Sequence, residues 1–89
     1  MKESQVQKKI KERLERNGFF VTKLIQTSTN GIPDIMAIKR GNVVFLEVKA
    51  EGGKLSELQE FRIEQLKSVG VFAKVVNGVE DIDVLCPKK

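Results

Sequence analysis

The 89-residue sequence predicts an α/β fold, one domain over residues 1–89 with a mixed central sheet flanked by helices. Three observations predict it. Val6, Ile10 and Leu14 recur every four residues among charged neighbours, the pattern of an amphipathic helix. Three β-branched and aromatic runs follow, at 19–25, 33–39 and 43–50, the last two separated only by Arg40-Gly41-Asn42. A second helical pattern then precedes a fourth such run at 71–76, and a connection of that length permits a parallel crossover.

The first helix is expected over 3–17, with Ser4 and Gln7 as a capping box and Gly18 as the left-handed residue after its end. "FFVTKLI" (19–25) is the first strand and "QTSTNG" (26–31) a polar loop. Pro33 has no N–H to donate and suits the start of the second strand, 33–39. "RGN" (40–42) makes a hairpin with the third strand, 43–50, so these two run antiparallel. "EGGK" (51–54) is a flexible connection. Ser56 and Gln59 read as N-cap and N3 of the second helix, with Leu58, Phe61, Leu66 and Val69 as its apolar face and Gly70 as its end. After the strand at 71–76 come a turn and short helix (77–86) and a frayed end (87–89). The five phenylalanines, 19, 20, 45, 61 and 72, are expected in the core, with one or two left for a dimer interface because so small a domain buries little surface alone.

Composition narrows the chemistry. There is no His, Tyr or Trp, so histidine-based nucleophile systems and tyrosine nucleophiles are excluded. The single cysteine, Cys86, allows neither an internal disulfide nor a cysteine zinc site. No apolar run is long enough to span a bilayer and the N-terminus has no signal-peptide core, so no membrane association is expected. A cytoplasmic protein fits. The net charge is +4, and the first 25 residues, with seven Lys/Arg and three Asp/Glu, hold all of the excess. That placement suits a polyanionic partner or a solvated helix face.

"GIPDIMAIKRGNVVFLEVKAEGG" (31–53) carries the chemistry. Counting back from the hairpin turn puts Glu47 opposite 34–36, so Asp34 and Glu47 can be neighbours across two strands. Two close carboxylates repel unless a cation lies between them, and Mg²⁺ takes oxygen ligands of this kind. The Val48 carbonyl is a further oxygen. Glu47 and Lys49, two apart, point to the same side of the strand, so Lys49 could orient an attacking water. The bland alternative is an ordinary Glu–Lys pair on a wet edge.

Pro33-Asp34, twelve residues, then Glu47-Val48-Lys49 resembles the PD-(D/E)xK nuclease motif. With Gly31-Ile32-Pro33-Asp34, the segment Gly53-Lys54-Leu55-Ser56 and Gln59, the stretch closely resembles the VRR-NUC branch, over nearly the whole chain. The resemblance implies a restriction-endonuclease-like αβββαβ core and a Mg²⁺- or Mn²⁺-dependent DNase. It implies Asp34, Glu47, Lys49 and Gln59 as catalytic residues. It also implies Glu3 at the metal beside Asp34, Glu47 and Val48. Small members of this kind resemble homodimers that cut branched DNA, Holliday junctions included, and the resemblance is compatible with a phage- or virus-encoded protein. Gln26, Thr27 and Ser28 in the polar loop, Lys54 after the glycines, and Lys8 and Lys9 on the first helix are the expected DNA contacts; a plain turn and a solvated helix face are their alternatives. Two other functions compete: a catalytically weak or inactive nucleic-acid-binding module of the same fold, and a small structural interaction domain.

Overall fold

In the computed structural model, which describes residues 2–87, the first helix, α1 (Glu3–Arg16), forms as its periodicity requires. Val6, Ile10 and Leu14 lie on one stripe and are buried. The expected Ser4–Gln7 capping box is corrected. The N-cap is Lys2, and Gln5 at N3 accepts from the Lys2 N–H at 2.9 Å. With the helix starting there, Ser4 falls inside its first turn and the Gln7 side chain is available to the sheet. Gly18 follows the Asn17 C-cap at φ 89°, the left-handed conformation that a residue without Cβ adopts freely.

Four strands follow: β1 (Phe20–Lys23), β2 (Ile35–Lys39), β3 (Asn42–Val48) and, after helix α2 (Glu57–Ser68), β4 (Phe72–Val76). They lie in the order β1-β2-β3-β4. β1, β2 and β3 are antiparallel, and β3 pairs with β4 in parallel across the α2 crossover, as expected. Lys39 faces Asn42, so the hairpin loop is Arg40-Gly41, with φ 51° and 82°. Positive φ at both central residues is what a tight hairpin with native twist requires. β1 is shorter than its β-prone run because the β1–β2 ladder ends at Lys23–Ile35. Beyond it the Leu24 N–H still donates to the Asp34 carbonyl at 2.6 Å.

The main core lies between α1 and one face of the sheet. Val21, Ile35, Ala37, Val44, Leu46, Val48 and Val76 meet Val6, Ile10 and Leu14 there, closed by Phe19, Ile82 and Cys86. A short 3-10 helix (Val79–Ile82) leads into the end of the described chain; of the expected frayed end at 87–89, residues 88 and 89 lie outside the described residues. Arg13 ties this segment to α1. Its guanidinium donates to the Val79 carbonyl (2.8 Å), Asp83 (2.6 Å) and the Cys86 carbonyl (2.7 Å). Arg13 is therefore turned inward and is not part of a solvated basic face.

The second face corrects two expectations. α2 is capped by Ser56 as expected, but only its Ile63 is buried; Leu58, Phe61 and Val69 are exposed. Of the phenylalanines, Phe19 is buried, Phe45 is half-buried, and Phe20, Phe61 and Phe72 are exposed. The reason is coverage. α2 packs on β4 at one edge of the sheet, and one twelve-residue helix cannot roof four strands. Among the described residues, no helix is long and apolar enough to cross a membrane.

Candidate active site

The chain reaches β2 through Gly31-Ile32-Pro33-Asp34. Gly31 has φ 82° and lies against α2. A Cβ there would come within 2.8 Å of Leu58 Cγ and 3.1 Å of the Leu58 carbonyl oxygen, so only glycine fits. Pro33 is buried. Asp34 then precedes the first paired residue of β2, its carbonyl held by the Leu24 N–H.

Asp34 Oδ2 accepts from the Val48 N–H at 3.2 Å and from Gln7 Nε2 at 3.3 Å. The β2–β3 register runs to Ile35–Leu46, so Asp34 and Glu47 are the next pair along the two strands. Lys49 donates its N–H to the Val76 carbonyl, so its main chain faces β4. Val48 faces the other way. A strand residue sends its N–H and carbonyl to the same side, so the Val48 carbonyl is directed to the edge where Asp34 sits.

Glu47 is 2% exposed, the only buried charged or polar residue among those described. Its Oε2 accepts from Gln59 Nε2 at 3.4 Å and lies 3.6 Å from Lys49 Nζ. Its Oε1 is the one buried side-chain polar atom, among the described residues, with no hydrogen-bond partner. Burial, and then the neighbouring Asp34 carboxylate, raise its pKa to about 7; Lys49 opposes the rise without cancelling it. A carboxylate arranged this way is strained in its charged form and short of one positive partner.

Gln59 serves two purposes at once. Its backbone N–H donates to Ser56 Oγ (3.1 Å) and its Oε1 accepts from the Ser56 N–H (3.0 Å), completing the helix cap. The Nε2 end of the same amide holds Glu47. Capping and contact with Glu47 coexist in Gln59 because an amide carries a donor and an acceptor.

The chain as a whole has close counterparts. The family model of the VRR-NUC domain matches residues 1–80. The chain belongs to the VRR-NUC family. A solved structure described as a VRR_NUC domain is 35% identical, with 97% of this chain and 95% of that one covered and a TM-score of 0.84. No curated protein matches. The fold is thus nuclease-type, α/β with a mixed four-stranded sheet flanked by two helices.

In this VRR-NUC domain the remaining sequence-predicted residues fall into two groups. Asp34, Glu47, Val48, Lys49 and Gln59 are brought together. Glu3 is exposed at the first turn of α1, and among the described residues no three carboxylate, Cys or His side chains are grouped closely enough to hold a metal. The helix residue that does reach the site is Gln7, one turn further on, which the sequence reading missed. Its signal was its place three residues before Ile10 and seven before Leu14, a polar side chain on the buried stripe. Gln26, Thr27 and Ser28 lie on an exposed loop, which Arg62 Nε ties to α2 through the Asn30 carbonyl at 2.8 Å. Lys54 is exposed in the connection before α2. Lys8 and Lys9 part company. Lys8 lines a groove with Gln7, while Lys9 lines a cavity with Glu51 and Glu80 on the other flank of α1.

The donor set fits a hard divalent cation. Two carboxylates and one main-chain carbonyl leave positions for water and phosphate oxygens, the usual pattern for Mg²⁺. The orphaned Glu47 Oε1 is the atom that such an ion would satisfy.

Proposed function

We propose that this VRR-NUC domain is a Mg²⁺- or Mn²⁺-dependent DNA endonuclease that hydrolyses phosphodiester bonds in branched DNA as a homodimer. The observation that carries the catalytic part is Glu47: buried, short of one partner, and held between Asp34, Lys49 and Gln59. Asp34, Glu47 and the Val48 carbonyl would hold the cation. When bound, it supplies Lewis-acid polarisation of a phosphate oxygen and a nucleophile at neutral pH. Lys49, three-quarters or more shielded from solvent, orients the attacking water and offsets charge building on the phosphate oxygens. Gln59 and Gln7 fix the two carboxylates in place. The new O–P bond forms opposite the ester P–O bond that breaks; the attacking water gives up a proton to solvent, and the departing oxygen takes one from solvent. The loop at Gln26, Thr27 and Ser28, with Lys54, supplies donors to neighbouring phosphates.

The test is cleavage of an immobile four-way junction against linear duplex, with and without Mg²⁺ or Mn²⁺. Junction cutting that needs metal and is lost in Lys49→Ala and Asp34→Ala is the expected result. Binding of both DNAs with no cutting under any metal would replace the nuclease by a binding module.

The dimer rests on the family resemblance and on one surface. Phe20 (64% exposed) and the half-buried Met36, Ile38 and Phe45 share the sheet face that α2 leaves open, and Phe61 (56% exposed) lies on α2. A second copy placed there would bury them and bring two sites to one junction. Phe20→Glu/Phe61→Glu is expected to convert a dimer to a folded monomer by light scattering, with an unchanged circular dichroism spectrum. A wild-type chain that is monomeric at the working concentration would end this part alone.

A further inference from the structure

α1 and β1 enclose an open groove of about 170 Å³, in which Ser4, Gln7, Lys8, Lys11 and Lys23 surround the apolar side chains of Val21 and Ile35. On a helix, residues 4, 7, 8 and 11 share one face, so the α1 wall is continuous. No carboxylate lines the groove. Glu15 pairs with Lys11 at 3.4 Å; both side chains are about half exposed, so water competes with that pair and it contributes little. Three cations in one cleft repel each other and focus a positive potential, an arrangement that suits a polyanion.

The groove has a direction. At one end Gln7 donates to Asp34 Oδ2. On the β1 side Lys23 faces Ile35, and the next residue, Leu24, holds the Asp34 carbonyl. Both walls therefore end at the same residue, Asp34: one at its side chain, the other at its main chain. Lys9, four residues before Arg13 on the helix, belongs to the opposite flank and does not share the groove.

We propose that Lys8, Lys11 and Lys23, with Ser4, form a track for the phosphate backbone of one DNA strand that runs onto Asp34; this rests on the nuclease reading. The contacts are to phosphates, so they set the register and direction of the strand without reading its sequence. Lys23 is the new element. It lies in a β-strand outside the basic helix, and only the β1–β2 register brings it beside the site.

The test is the salt dependence of DNA binding, by fluorescence anisotropy in EDTA, for the wild type, Lys8→Gln/Lys11→Gln/Lys23→Gln, and a charge-matched control. The control is Lys39→Gln/Arg40→Gln/Lys67→Gln, at the hairpin end and on α2. All three groove lysines are exposed, so thermal melting of the variant is expected to match the wild type. Each lost phosphate contact lowers the slope of log K against log[salt] by about 0.9 on duplex DNA. The groove variant is expected to lose roughly two to three contacts' worth of slope and at least about tenfold in affinity at low salt. The control is expected to keep its slope. An unchanged slope in the groove variant, an equal loss in both variants, or no DNA binding by the wild type would overturn the track. Wild-type cleavage in Mn²⁺, run in parallel, reports on the nuclease separately. Slope loss confined to the groove variant, beside a wild type that does not cut, would keep the track and discard the chemistry.

Discussion

Glu47→Gln is expected to lower metal-dependent cleavage by roughly 10²–10⁴-fold, the cost of removing one well-placed catalytic group, while making the metal-free protein more stable above pH 7. The two effects have one cause. Glu47 is held in a site that disfavours its charge: it is buried, it faces Asp34, and one of its oxygens has no partner. Glutamine keeps the shape and removes the charge. Its carbonyl can still accept from Gln59 and Lys49, and its amide can donate toward Asp34. A pKa raised from 4.5 to about 7 corresponds to a stability gain of roughly 3 kcal/mol at pH 8, at 1.36 kcal/mol per pKa unit. For a domain of this size each kcal/mol moves the melting temperature by about 4–8 °C. Melting curves and cleavage rates on the same preparation check both halves. A variant that loses activity and stability together would mean that Glu47 is an ordinary structural ion-pair partner of Lys49.

In the metal-free wild type, stability is expected to fall as pH rises from 4.5 to above 7. The unfolded chain releases the Glu47 proton near 4.5, whereas the native state keeps it to about 7. Between those values the native state binds more protons, so unfolding becomes easier with each increment of pH. The contribution is fully present below 4.5 and gone above 7, and its size is about 3 kcal/mol. Other carboxylates titrate in the lower part of the window, so the quantity to measure is the difference between wild type and Glu47→Gln at each pH. Saturating Mg²⁺ or Mn²⁺ is expected to remove the fall, because a cation satisfies the charged form. At one hundred times its dissociation constant a ligand adds about 2.7 kcal/mol. A difference curve that is flat through this window would contradict the strained carboxylate.

Much of this was legible in the chain itself. The turn at Arg40-Gly41, one residue shorter than expected, sets the hairpin, the hairpin sets the register, and the register sets Asp34 beside Glu47. The four-residue spacing of Val6, Ile10 and Leu14 identifies α1 and its buried side together. What was not legible depends on coverage and distance. Leu58, Phe61 and Val69 are spaced as a core stripe, yet they face outward, because nothing in α2 says how much of the sheet it will cover. Gln7 meets Asp34 across 27 residues, so local pattern shows its place on the buried stripe and not its partner. The difference between Lys8 and Lys9 is one helical step of about 100°, and only the position of β1 shows which of them faces a groove leading to the site.

The central claim is that Asp34 and Glu47 are built to share a divalent cation, and calorimetric titration of Mn²⁺ at pH 8 tests it without reference to any DNA. Saturable binding by the wild type that is lost in both Asp34→Ala and Glu47→Gln is the predicted result. Binding that survives both substitutions, or no binding by a folded wild-type protein, would contradict it.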